Sequence, residues 1–128
     1  YLSEMIYAWI KEMSWLSREA SEAEVVVTDG IYELLCFSCP FDMTVGDKLK
    51  EPLSTLDIEN VVRLIEKSER SIKLDGPYDY YIESKIVDRQ NGIVSLGKIL
   101  IEIGGHTIPG DIGEQPYISF CCSRFDID

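Results

Sequence analysis

The sequence lacks any run of roughly 18 consecutive apolar residues, the length a membrane-spanning helix requires, and this excludes a helical membrane span. Histidine is nearly absent: His106 is the only one, so no pair of imidazoles is available for a metal site or a shared proton. Basic residues are scarce, 12 Lys+Arg against 23 Asp+Glu, which leaves a formal net charge of −11. A surface that binds phosphates would work against that field, so nucleic acid is not an expected partner. No basic stretch followed by an apolar one opens the chain, and no signal-peptide pattern is therefore expected. The first residue is Tyr1, which leaves a preceding segment open. GxSxG, HExxH and phosphate-cradling glycine patterns are missing as well, so no familiar hydrolytic, zinc-protease or nucleotide-binding chemistry is marked.

What is present describes a globular chain. Hydrophobic residues make up 45% of the 128 and charged residues 27%, enough apolar material for one core and too much for global disorder. One domain over 1–128 is expected, with an N-terminal helix over 1–21 and a β-rich body over 22–128.

Four cysteines occur: Cys36, Cys39, Cys121 and Cys122. A chain of this apolar content needs no disulfide staples, and a Cys121–Cys122 bond would close a strained vicinal ring. Cys36-Phe37-Ser38-Cys39 has the spacing of half a zinc site. Strand periodicity, however, puts Cys36 and Cys39 on opposite faces, as it does the adjacent Cys121 and Cys122. Four free thiols in a reducing, cytoplasmic compartment are the expectation, with no metal and no other cofactor.

Leu2, Met5, Ile6, Trp9, Met13, Leu16 and Ala20 recur at three- and four-residue steps, which predicts an amphipathic helix. Tyr1, Ala8 and Trp15 add a second line, so Trp15 either packs under a loop or joins Trp9 in self-association. Two hairpins follow from turn chemistry. Asp29-Gly30 predicts a two-residue turn pairing Val27 with Tyr32 and Val25 with Leu34. Asn91-Gly92 predicts a longer hairpin pairing Ile82 with Ile101, Tyr80 with Ile103 and Ile86 with Gly97, and Gly97 is an expected bend. Residues 41–56 read as a loop with room for a strand. Residues 57–70 read as a helix capped by Asp57, with Ile58, Val61, Val62 and Ile65 inward and Glu59–Arg63 and Glu66–Arg70 paired outside. A last strand covers 117–126. The predicted class is α+β: a strongly curved five-stranded antiparallel sheet or small barrel like the oligonucleotide/oligosaccharide-binding fold, an N-terminal amphipathic helix and one further helix.

Function is hardly marked. His106 follows two glycines, a flexible setting for a base or ligand but equally for an ordinary loop histidine. The 23 carboxylates are too numerous for any one pair to stand out as catalytic, so no catalytic residue is assigned. The best candidate surface is Asp79, Tyr81 and Glu83, which alternate onto one face of the second hairpin and join a tyrosine to two acids. These residues predict a non-catalytic module for a basic protein partner. Small acidic immunity proteins that neutralise basic toxins are comparable in size and charge alone. A small-molecule or oligosaccharide-binding barrel lined by Tyr32, Tyr80 and Ile101 is the alternative, and an enzyme with an unrecognised carboxylate site a third.

Overall fold

The computed structural model describes residues 7–108 and 116–128. In chain order the strands are β1 (Trp9–Ser17), β2 (Glu22–Thr28), β3 (Glu33–Ser38), β4 (Ser54–Leu56), β5 (Glu59–Arg63), β6 (Arg70–Lys73), β7 (Tyr80–Asp88), β8 (Ile93–Leu96), β9 (Ile99–Glu102), β10 (Tyr117–Cys122) and β11 (Arg124–Ile127). They make two open sheets. The five-stranded sheet runs β1-β2-β3-β11-β4, and the six-stranded sheet runs β5-β10-β7-β8-β9 with β6 beside β7. The only helical element among the described residues is a 3-10 turn at Gly105–Thr107. No helix there is long and apolar enough to cross a membrane.

The fold is thus nearly all β, and the α+β expectation is corrected in three places. The N-terminal helix is the strand β1 over its described part; Leu2, Met5 and Ile6 lie outside the described residues. Ala8 and Ile10 point inward, and a register shift between Ile10 and Glu12 then brings Met13 and Trp15 to the inner side. A bulge moves a period-two pattern by one residue, so a bulged strand can reproduce the three- and four-residue steps of a helix. Trp15 meets Phe41 edge-on at 5.9 Å, so it packs inside the molecule under the segment after β3. Trp9 is partly exposed on the other face, and no helical surface carries the two tryptophans together.

The second expected helix, 57–70, is β5, a connection and β6. Asp57 and Asn60 have φ of 53° and 56°, left-handed values that no right-handed helix contains. Ile58, Val61, Val62 and Ile65 are β-branched and suit a strand better. Ile58 and Val61 reach the core, while Ile65 is 85% exposed.

The third correction concerns the sheet. One strongly curved five-stranded sheet or small barrel was expected, whereas the arms are interrupted and form two sheets that stay open. β10 and β11 are one continuous arm broken at Ser123, where the chain passes from one sheet to the other. β11 lies parallel to β3, a pairing no chain of simple hairpins makes. β4 occupies the expected loop, and Leu53 bridges Ile101 to fasten the sheets at a second seam.

Both turn signals hold as reversals, with altered register. The first connection spans 29–32 and pairs Val27 with Leu34 and Val25 with Cys36, two residues away from the expected partners. An even displacement keeps every side chain on its face, and Val25, Val27, Leu34 and Cys36 are all fully buried. The cause is Asp29, whose Oδ1 accepts the Ile31 and Tyr32 amides at 2.9 and 2.8 Å and closes a longer turn. In the second hairpin Ile86 pairs with Val94, not Gly97. Gly92 needs no side chain there, since a Cβ would overlap the Gly104–Gly105 backbone. The returning arm then reverses at Gly97 (φ 58°), so β9 pairs with β8 and leaves Ile82 opposite Phe120.

The core between the sheets holds Phe120, Phe125, Ile10, Leu34, Ile82 and Ile101, all fully buried. Tyr80 joins the layers: its ring lies 5.5 Å from that of Phe125, and its hydroxyl accepts the Leu35 amide at 2.9 Å. Tyr80 and Ile101 are therefore packed in the interior, and Tyr32 donates its hydroxyl to the Glu69 carbonyl at 2.7 Å. Neither sheet closes into a barrel around these three residues.

Candidate functional site

Period two places Tyr81 and Glu83 on the outer face of β7, with Asp79 just before the strand. β7 is internal to its sheet. Tyr81 stands between Cys121 of β10 and Ile72 of β6, and Glu83 between Ser119 and Arg70. Tyr81 donates to Glu83 Oε2 at 2.6 Å, Ser68 Oγ donates to Oε1, and Arg70 Nε lies 3.8 Å from Oε1. These donors hold the Glu83 carboxyl below its ordinary value, Ser68 and Tyr81 most strongly. The bond to Glu83 in turn raises the Tyr81 hydroxyl, burial adding to it. Only 14% of the Glu83 side chain is exposed, so this acid anchors Tyr81 and offers little of itself to a partner.

Asp79 belongs to a neighbouring crevice of about 400 Å³, lined by Asp57, Ile58, Glu59, Asp79, Cys121, Cys122 and Ser123. Its shape comes from two irregularities. The break at Ser123 lets its hydroxyl donate to Asp57 Oδ2 at 2.9 Å and its amide to the Leu56 carbonyl at 2.9 Å. The register shift of β10 against β5 leaves Glu59 opposite Cys121, while Asn60 takes the left-handed conformation. Cys121 thus separates Glu59 from Tyr81, and the acidic crevice runs directly into the Tyr81–Ile72 strip. Asp79 is tied loosely to Lys73, Oδ1 to Nζ 3.4 Å; that ammonium also donates to the Leu74 carbonyl at 2.8 Å and to the Gly76 carbonyl.

Among the described residues no group of three or more His, Cys, Asp or Glu side chains converges closely enough for a metal ion. Spread carboxylates over a concave floor match a guanidinium or ammonium group better than a bare cation. The buried Cys122 thiol is pushed up to about 12 by desolvation, and Cys36 is raised by the same cause, so neither is a ready nucleophile. Cys39 is exposed and Cys121 half-buried. His106 is exposed on the 3-10 turn.

The three expected surface residues thus divide: Tyr81 and Glu83 share one network, and Asp79 lines the adjoining crevice. Asp57 and Glu59 were missed as site residues because a helical reading made them a cap and an outward ion pair. Their signal was the β-branched run Ile58, Val61, Val62, which turns the segment into a strand facing Cys121. Over the described residues the chain is nearly all β, in two open sheets. It matches no family model, no characterised protein and no solved structure.

Proposed function

We propose that the chain is a non-catalytic protein-binding module whose partner is basic, and that the partner docks on the outer face of the six-stranded sheet. The observation carrying this reading is the continuity of Asp57, Glu59 and Asp79 with the Tyr81–Ile72 strip. A Lys or Arg side chain would enter the crevice, and apolar contact would spread over Tyr81 and Ile72, an aromatic anchor beside charge-complementary acids. The net charge of −11 would speed the encounter, and salt would slow it. A cytoplasmic setting agrees with four free thiols.

The test is capture from lysate of the source cell, at low and high salt, by the tagged chain and by a Glu59→Lys/Asp79→Lys variant of matched thermal stability. The expected result is one basic protein, near stoichiometric, held by the natural chain at low salt and released by salt or by the charge reversal. An equal yield with the variant, or an empty lane at low salt, refutes the reading.

A further inference from the structure

A second concavity, sharing no residue with the acidic crevice, has the opposite character. It is an open groove of about 560 Å³ lined by Tyr7, Trp9, Asp29, Gly46, Lys48 and Lys98. Three segments build it. Ala8 and Ile10 turn inward, so Tyr7 and Trp9 face outward from the start of β1. The 46–49 segment is laid along that edge by Gly46 N to the Ile10 carbonyl (2.7 Å), Ile10 N to the Asp47 carbonyl (2.9 Å) and Leu49 N to the Ala8 carbonyl (2.9 Å), which sets Lys48 opposite Trp9. Lys98 arrives from the β8–β9 turn of the other sheet, fixed by its amide on Asp29 Oδ2 at 2.8 Å.

Both ammonium groups converge on one ring. Lys48 Nζ lies 4.8 Å and Lys98 Nζ 4.9 Å from the Tyr7 ring centre. Neither makes a salt bridge among the described residues, in a chain where acids outnumber bases 23 to 12. The single acid in the lining is already engaged. Burial opposes ionisation of Asp29, but the Lys98, Tyr32 and Ile31 amides outweigh it and hold the carboxyl below its ordinary value. Its charge is spread into the backbone, leaving two cations beside a tyrosine and a tryptophan that is 38% exposed.

We propose that this groove binds a small planar organic anion: one aromatic ring bearing a single carboxylate or phosphate. The ring would stack on Trp9 or Tyr7 and the anion would bridge Lys48 and Lys98, relieving the repulsion between two like charges held on one ring. One acid group is specified because the two ammonium groups flank a single ring and so bracket one bridging position. The size suits such a ligand, since small-molecule sites are typically about 300–1,000 Å³.

Amide chemical-shift titrations of the whole chain test this, with benzoate and phenyl phosphate as ring-bearing anions, acetate and inorganic phosphate as anions without a ring, and benzyl alcohol as a ring without charge. At least one ring-bearing anion should shift the Trp9, Gly46, Lys48 and Lys98 amides in a saturable way, and the better of the two identifies the acid group. The three controls should bind at least about tenfold more weakly, the equivalent of roughly 1.4 kcal/mol. Lys48→Gln with Lys98→Gln should weaken binding by a similar factor, since both side chains are exposed and the Asp29 bond uses only the Lys98 backbone. Lys85→Gln, exposed on β7, should change nothing. No shift from either probe up to about 10 mM, a far weaker affinity than such sites usually show, would overturn the proposal. Equal binding by the controls, or unchanged binding by the double variant, would overturn it as well. None of these outcomes bears on the acidic crevice.

Discussion

The two concavities are built by opposite means. The acidic crevice sits where β5, β10 and the start of β7 lie side by side in one sheet, and its neighbour Tyr81 is held by Glu83, itself bonded by Ser68, and by Ser119. The cationic groove is assembled at an edge, from the start of β1, an irregular segment and a turn of the other sheet. Charge follows the architecture. Asp57, Glu59 and Asp79 line the crevice, whereas Lys48 and Lys98, which make no salt bridge among the described residues, flank one ring in the groove. Both concavities join remote segments, but the crevice is held by the ladders of β5, β10 and β7 and should outlast the groove, which depends on a few bonds of irregular segments.

The largest test removes what the two regions share. Phe120 is fully buried on β10, behind the crevice and opposite Ile82. Phe120→Ala should cost about 3–5 kcal/mol in denaturant unfolding and loosen both regions together. A smaller and more selective effect is expected at Gly97. Its φ of 58° and the closeness of Tyr32 ring carbons, 2.9 Å from a Cβ placed there, together with contact to the Asp29 carboxylate, leave no room for a side chain. Gly97→Ala should cost about 1–3 kcal/mol and accelerate amide exchange at Lys98 and Ile31 before Tyr81 or Cys121. Equal acceleration at both places would erase the distinction drawn here.

Glu83→Gln addresses the crevice side and should cost about 1–2 kcal/mol at neutral pH, because charge-assisted bonds from Ser68 and Tyr81 become neutral ones. The folded carboxyl lies below its ordinary 4.5, so its contribution is complete above that pH and fades as acid protonates it. The difference between natural chain and variant should accordingly shrink on acidification. Tyr81 has the reverse sign: its hydroxyl is raised above 10.0, so its bond persists through neutral pH and is lost when strong alkali ionises it. The smallest test leaves stability unchanged. Brief alkylation at neutral pH should modify Cys39 first and Cys121 more slowly, and Cys36 and Cys122 only on unfolding. Early modification of Cys122 would mean that the crevice floor opens.

Faces were legible from the sequence in the first hairpin where pairings were not; in the second, Ile86 meets Val94 instead of Gly97, an odd shift that exchanges the faces expected for β8. Val25, Val27, Tyr32, Leu34 and Cys36 were expected on one apolar face; all are buried except the half-buried Tyr32, although Asp29 shifts the register by two. Ile82, Ile101, Tyr80 and Ile103 were likewise expected to share a face and are all buried, yet Ile82 pairs with Phe120 and Ile101 with Val94. Local alternation reports which side meets water; it carries no information about which of several apolar strands lies alongside. The helical readings failed for a related reason. A bulge in β1 and a left-handed Asn60 in β5 each move the strand period by one residue, and the resulting spacing coincides with a helical stripe.

The sequence by itself determined the charge, the apolar share, both chain reversals and the inward residues of the first hairpin, because these depend on composition and on neighbours a few residues apart. Only the tertiary structure decided that the last arm changes sheets at Ser123, that Glu59 and Asp79 share one crevice, and that Lys48 and Lys98 flank a single ring. Those juxtapositions join segments far apart in the chain, and they form only because burying two apolar sheet faces against each other forces the edges and turns into register.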